Sequence, residues 1–283
     1  MHRLPRFLLY PLMALLPALA VLTGFSSAAS ASTPASQAAN AAAIARAAIK
    51  HLAIGQHASD QRVPGTHHLK GLTQVQSDNW SGYADTGSGF SKVAASWKEP
   101  SATCGGDTTS LAAFWVGIDG YTSDSVEQDG TLIECYLDTA YQFSWWEMYP
   151  TNDIQVVGES VAAGDSITAS VVRSGTSYTL KVTDSTHTAN SFTTTQTCSG
   201  CANSSAEWIA EAPSGSSGVY PLTHFSTWSE TSSTVTEGST SGVISTFTDD
   251  EITMVDSSGN VKAQPGALNG SGNAFSVTWK RST

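Results

Sequence analysis

From residue 79 to the C-terminus the sequence is a succession of short runs rich in Val, Ile, Thr, Tyr, Phe and Trp, separated by Gly, Ser, Asn and Asp. Such runs are too short for stable helices and carry a two-residue period. The clearest is Asp165 to Asp184. Ile167, Ala169 and Val171 share one face of "DSITASVVR", a Ser174-Gly175 turn follows, and Tyr178, Leu180 and Val182 alternate in "SYTLKVTD". Further strands are expected at Val93–Glu99, Ala112–Asp119, Tyr141–Met148, Ser205–Glu211, Leu222–Ser229, Val243–Thr248, Glu251–Asp256 and Ala274–Lys280. No helical periodicity competes in this part of the chain. Many short antiparallel strands within 283 residues predict an all-β sandwich of two antiparallel sheets.

The N-terminal quarter differs. Arg3 and Arg6 precede an apolar run from Phe7 to Phe25, and Ala29-Ser30-Ala31 closes it with small residues. This is the layout of a secretory signal peptide over 1–31. Pro11 and Pro17 interrupt the run and no stop-transfer charges follow it, so a membrane anchor fits less well and the processed chain is expected to be secreted, off the membrane. Residues 32–72 then combine an Ala-rich stretch, with Ile44, Ala48, Ile49 and Leu52 at helical spacing, and a polar linker punctuated by Pro64 and Gly65. Four of the seven histidines lie in this segment (His51, His57, His67 and His68), with Arg46, Lys50, Arg62 and Lys70 against the single acid Asp60.

Residues 73–283 hold 7 basic and 23 acidic side chains, a formal −16. That excess excludes nucleic acid as a partner, since phosphate binding needs clustered Lys and Arg. Opposite charge on adjacent segments points to 32–72 as a propeptide, and inhibitor, docked on an acidic body; a disordered basic linker is the plainer alternative. Acid would charge the histidines and neutralise the carboxylates, so release is expected to be faster at acid pH than at neutral pH.

An exported chain forms disulfides. Cys104, Cys135, Cys198 and Cys201 are the only cysteines. The Cys198-x-x-Cys201 spacing also suits redox chemistry or half a zinc site, but beyond residue 70 the only histidines are His187 and His224, and no HExxH is present. By elimination, two structural bridges are expected, 104–135 and 198–201, with no metal and no cofactor.

Several catalytic classes fall away. "DTGS" at Asp85 resembles the catalytic loop of pepsin-like peptidases, but such sites need two carboxylates sharing a proton. No second D-[ST]-G exists, because "DSSG" at Asp256 has an extra residue, and Gly87-Ser88-Gly89 reads as a hairpin turn. There is no G-x-S-x-G elbow and no spare thiol. Carboxylates remain. In "SSAEWIAEAP" an extended strand places Glu207, Ile209 and Glu211 on one face and Trp208 and Ala210 on the other. In "FSWWEMYP", Trp145, Glu147 and Tyr149 share a face. Two acids on an apolar strand are costly to bury unless that face lines a cleft; a solvated outer face is the competing reading.

Five stretches in order, "NWSGY" at Asn79, "FWVGIDGY" at Phe114, "SVEQDG" at Ser125, "WWEMYP" at Trp145 and "SAEWIAEAP" at Ser205, resemble the glutamic peptidase (eqolisin) family over about residues 77–280, and are most similar to its bacterial branch. The resemblance implies a concanavalin- or lectin-like sandwich with the cleft on a concave face, and a secreted acid endopeptidase acting on polypeptides. It implies a catalytic pair at Gln128 and Glu211 and cleft positions at Trp80, Asp119, Trp145, Glu147 and Tyr149. The residues alone would select neither Gln128 nor Glu211 over Glu207. Glu127 stands where the fungal form has an apolar residue, and Met148 where it has Trp, which bears on subsite preference.

The chemistry suits the pair. A carboxylate takes a proton from water and returns it to the leaving amine, and a carboxamide, which cannot ionise, donates to the oxyanion at any acid pH. Activity is expected to fall as acid protonates Glu211, and to resist pepstatin. The alternatives are a glycoside hydrolase using Glu147 with Glu207 or Glu211, and a carbohydrate-binding module. Glu207 and Glu211, four residues apart on one strand, are over 13 Å apart by strand rise, roughly 3.3 Å per residue, too far for a retaining pair. The processed chain is expected to be a monomer.

Overall fold

The computed structural model describes residues 72–105 and 108–283, together with Ala43 and the backbone of His68 and Leu69. The expected signal peptide and nearly all of the 32–72 segment lie outside these residues.

The principal strands are β1 (Leu72–Ser77), β2 (Trp80–Thr86), β3 (Phe90–Lys98), β4 (Ser110–Asp119), β5 (Val126–Tyr136), β6 (Thr139–Tyr149), β7 (Asn152–Gly158), β8 (Ser166–Ser174), β9 (Ser177–Asp184), β10 (Phe192–Thr197), β11 (Ser205–Glu211), β12 (Trp228–Glu237), β13 (Thr248–Val255), β14 (Val261–Pro265) and β15 (Phe275–Trp279). They pair into two layers. The first runs β1-β13-β2-β11-β4-β5-β6-β7, and the second β10-β9-β8-β3-β12-β15-β14. The β13–β14 pairing joins them. Every pairing is antiparallel except β1 with β13. The molecule is therefore the expected β-sandwich.

Alternation explains which side chains meet. Val93, Ala95 and Trp97 of β3, Ile167, Ala169 and Val171 of β8, and Tyr178, Leu180 and Val182 of β9 point inward from the second sheet. Phe114, Val116 and Ile118 of β4, with Trp208 of β11, meet them from the first. Gly175, at φ 63°, takes the left-handed position in the tight β8–β9 turn. Gly87–Gly89 are not the hairpin turn their composition suggests: β2 and β3 do not pair, and the segment crosses from the first sheet to the second, with the Gly87 and Gly89 amides donating to the Ser204 and Asn203 carbonyls. Both disulfides form as expected, Cys104–Cys135 and Cys198–Cys201.

A second apolar cluster lies on the face of the first sheet turned away from the second. It includes Trp80, Leu111, Ala113, Trp115, Val126, Leu132, Phe143, Trp145, Ile154 and Ile209. The first sheet is thus apolar on both faces, so β5 and β11 are buried almost end to end.

Two expected strands do not form as drawn. In Leu222–Ser229 the backbone amides go to separate partners, Leu222 N–H to Ser282, Thr223 to Leu111 and Ser226 to Ser101, so no single ladder spans the run. Leu222 makes an isolated parallel bridge to Leu111, His224–Phe225 pair with Ala102–Thr103, and β12 starts at Trp228. In Val243–Thr248 the Thr246 Oγ1 accepts the Val243 amide at 3.0 Å and closes a 3₁₀ turn over Ile244–Thr246.

Candidate active site

The outer face of the first sheet carries the polar residues singled out from the sequence. Register places them in rows. Glu207 of β11 lies opposite Gly117 of β4, which lies opposite Gln128 of β5, which lies opposite Glu147 of β6. Gln128 Nε2 donates to Glu147 Oε2 at 2.8 Å, and both side chains are buried. Glu211 lies opposite Ala113, four residues along β4 from Gly117 and across that strand from Gln128.

Trp115 spans this interval. Its indole Nε1 donates to Glu211 Oε2 at 2.9 Å. The other edge of the ring lies over Gly117: a Cβ at 117 would sit 2.8 Å from Trp115 Cζ3 and 3.3 Å from Gln128 Cβ. Gly130, between the Gln128 and Leu132 rows, permits a close approach of β4 and β5, since a Cβ there would be 2.0 Å from the Phe114 carbonyl oxygen. Trp80 packs edge-on against Trp115, with ring centroids 5.0 Å apart. Substituting Gly117→Ala is expected to displace the Trp115 ring and lower stability by about 1–3 kcal/mol, the cost of overpacking. Chemical denaturation with tryptophan fluorescence checks this.

Glu211 receives a second hydrogen bond, from Asn79 Nδ2 at 3.3 Å. Ser77 Oγ donates to Asn79 Oδ1 at 3.0 Å and accepts the Trp80 amide at 3.1 Å, which orients the Asn79 amide with its NH2 toward Glu211. Each Glu211 oxygen therefore has a donor. Beside it, among the described residues, the buried indole N–H groups of Trp80 and Trp145 have no acceptor. Buried donors left open are costly unless a ligand carbonyl meets them.

The remaining sequence-derived positions fall as follows. Trp145 lies opposite Gly130, and Tyr149 ends the same face of β6 opposite Val126. Asp119 adopts φ 71° and turns its carboxylate to the loop before β11, accepting the amides of Asn203 at 2.7 Å and Ser204 at 2.8 Å. It holds β11 in place from behind the row. Glu207 is fully buried, and desolvation raises its pKa well above the carboxylate range. The rows set the Glu207 and Glu147 backbones three strand spacings apart, about 14 Å, with Gln128 between them. Asp85 of "DTGSG" is on the opposite face, beside Ala206 of the inter-sheet core and Asp249.

The chain matches the peptidase A4 family over residues 78–278. It belongs to that family. Peptidase A4 is the glutamic peptidase group that the five sequence blocks resemble. Among curated relatives, the chain is 28% identical to aspergillopepsin-2 of Aspergillus niger over 186 residues, covering 55% of this chain and 65% of the relative. It is 34% identical to scytalidopepsin B of Scytalidium lignicola over 138 residues, covering 47% and 51%. The chain thus spans about half to two thirds of the length of these relatives. Among solved structures, scytalido-glutamic peptidase with a transition state analog inhibitor aligns with TM-score 0.61 and 25% identity, over 72% of this chain and 98% of that one. Aspergilloglutamic peptidase from Aspergillus niger aligns with TM-score 0.51 and 26% identity, over 60% and 99%.

Asn79, Trp115 and Gly117 all lie within quoted peptidase A4 blocks, yet sequence reasoning assigned them no part in the site. Their signal was position inside "NWSGY" and "FWVG". Only the register shows that one orients Glu211, one bridges the rows and one makes room for that bridge.

Proposed function

We propose that this chain is a secreted acid endopeptidase in which Glu211 is the general base and then acid, and Gln128 the oxyanion donor. The observation that carries the reading is the Asn79–Glu211–Trp115 arrangement on the same sheet face as the Gln128–Glu147 pair. Glu211 takes a proton from water, and the resulting hydroxide adds to the scissile carbonyl carbon. The carbonyl oxygen becomes an oxyanion and accepts the second Nε2–H of Gln128, whose first is held by Glu147. Protonated Glu211 then gives its proton to the amide nitrogen, the C–N bond breaks, and the carboxylate returns. Trp80 and Trp145 donate to main-chain carbonyls of the peptide, and Tyr149 extends the same face.

Secretion rests on the 1–31 leader, and a bacterial source on the "EMYP" block. We assign 32–72 as an inhibitory propeptide, on its charge complementarity to the acidic body. The processed enzyme is expected to work as a monomer without metal or cofactor.

The test is cleavage of a denatured protein at pH 3–5 by acid-processed enzyme, with pepstatin present. Cleavage that persists in wild type and falls about 10²–10³-fold in Gln128→Ala supports the assignment. Inhibition by pepstatin would redirect it to Asp85 and Asp249. Absence of cleavage by correctly processed, folded protein would redirect it to polysaccharides.

A further inference from the structure

Glu127 precedes Gln128 on β5 and so points the other way, into the open end of the sandwich. There it borders a pocket of about 380 Å³, lined also by Met148, Tyr149, Thr151, Thr197 and the Cys198–Cys201 loop. A carboxyl oxygen of Glu127 lies within 4.8 Å of both disulfide sulfurs. The side chain is 1% exposed, and its Oε2 has no hydrogen-bond partner. A buried acceptor left open beside a cavity is a binding determinant awaiting its donor.

The geometry points to this pocket as a substrate subsite for a lysine or arginine side chain. Among the described residues no Lys, Arg or His lines it, while Glu127 has the Asp119 carboxylate beside it. Burial, reinforced by Asp119, pushes Glu127 up to about 9, so in the empty pocket it holds a proton. An entering ammonium or guanidinium would donate to Oε2 and favour the ionised form. Arg173 acts on Glu127 at longer range, and no ion pair between them occurs among the described residues. Lys and Arg are also the side chains that remain fully charged at acid pH. Tyr149, on the pocket wall, is two residues beyond Glu147 on β6, about 7 Å along the strand. A peptide on the outer face that runs past Tyr149 and turns over the end of β6 would place a side chain in the pocket two or three residues from the scissile bond.

The inference rests on the peptidase reading, and the experiment separates the two. Two peptide series, identical except for Lys or norleucine two or three residues either side of one cleaved bond, are assayed for kcat/KM with wild type and Glu127→Gln, a variant of nearly the same shape. The expected result is a Lys preference of about 10-fold at one position in wild type, the strength of a hydrogen bond to a charged group, falling to near 1 in Glu127→Gln. A ratio near 1 in wild type, or an undiminished preference in the variant, overturns the subsite while leaving the peptidase intact. Failure of wild type to cleave either series overturns the peptidase reading and the subsite with it.

Discussion

Glu211→Gln is expected to lower kcat on a peptide substrate by at least about 10³-fold, with KM changed only a few-fold, because the substitution removes the group proposed to accept and then return the proton. The variant should fold. Glu211 now accepts from Asn79 and from Trp115, and a carboxamide presents only one oxygen, so one of its neighbours must change role. Asn79 can do so. Its amide is set by Ser77 Oγ, a hydroxyl that both donates and accepts, so the amide can reverse and offer its oxygen to the new NH2. Trp115 keeps its acceptor. A loss of activity with an unchanged melting temperature and a small change in KM is the signature of a catalytic rather than a structural role. If the variant retained more than a tenth of wild-type kcat, Glu211 would be a scaffold for Trp115 and the base would lie elsewhere, with Glu207 the next carboxyl on the same face. Asp85→Asn provides the contrast. It alters "DTGSG" on the other face of the sheet and should leave kcat at acid pH unchanged.

The strands that alternate were legible, and the strands that do not were not. The β8–β9 hairpin could be drawn from residues 165–184 because one face of each strand is buried and the other wet. By contrast β5 is buried nearly throughout and its first residues after Val126 read Glu, Gln, Asp, Gly, a composition typical of a loop. The catalytic candidate Gln128 sits in that stretch, so periodicity could not have found it, and only the family resemblance did. Short apolar runs misled in the other direction. Ile244 is one buried residue in a run that a threonine hydroxyl turns into a 3₁₀ bend. The site's supporting contacts were also hidden, because they join residues far apart in sequence: Asn79 and Glu211 are 132 residues apart, and Trp115 and Glu211 are 96. A disulfide could be inferred by counting cysteines, but nothing in "FWVG" says that its glycine makes room for its own tryptophan.

The melting temperature of the processed protein is expected to be at least about 10 °C lower at pH 8 than at pH 4. The cause is the number of carboxyl groups that the fold buries without a cation. Burial raises Asp85 to about 9, helped by Asp249 and Glu237. Burial also raises Glu99, Glu134 and Glu230 to about 8, against the opposing hydrogen bonds from Thr131 and Trp97 to Glu99 and from Ser233 to Glu230. Asp129 and Glu207 are raised by desolvation as well. Each group holds its proton in the native state at pH values where the unfolded chain has released it. The native state therefore binds more protons, and stability falls as pH rises. The contribution is fully present below the ordinary carboxylate range near 4 and is lost as pH climbs through the native values of 8 to 9. A tenfold difference in one group's proton affinity between the native and unfolded chain corresponds to about 1.4 kcal/mol, and each kcal/mol moves the midpoint by about 2–4 °C in a domain of this size. Opposing groups are few. Asp256 is lowered, chiefly by Asn260, and in the buried Asp184 desolvation is outweighed by hydrogen bonds from Asn190, His187 and Thr186, which lower it; both lose their contribution only below the ordinary carboxylate range, outside the pH 4–8 interval. His187, raised by Asp165, loses its stabilising pairing as pH rises and so adds to the same trend. Asp85→Asn isolates one member of the set. Both Asp85 oxygens are buried without a partner, so a neutral amide should raise the midpoint at pH 8 and leave it within a degree or two at pH 4. A wild-type midpoint that rises from pH 4 to pH 8 would mean that these carboxyls are hydrated or cation-paired in solution. An acid-stable fold suits the proposed chemistry, because the pH that protonates the buried carboxyls leaves a carboxamide oxyanion donor untouched.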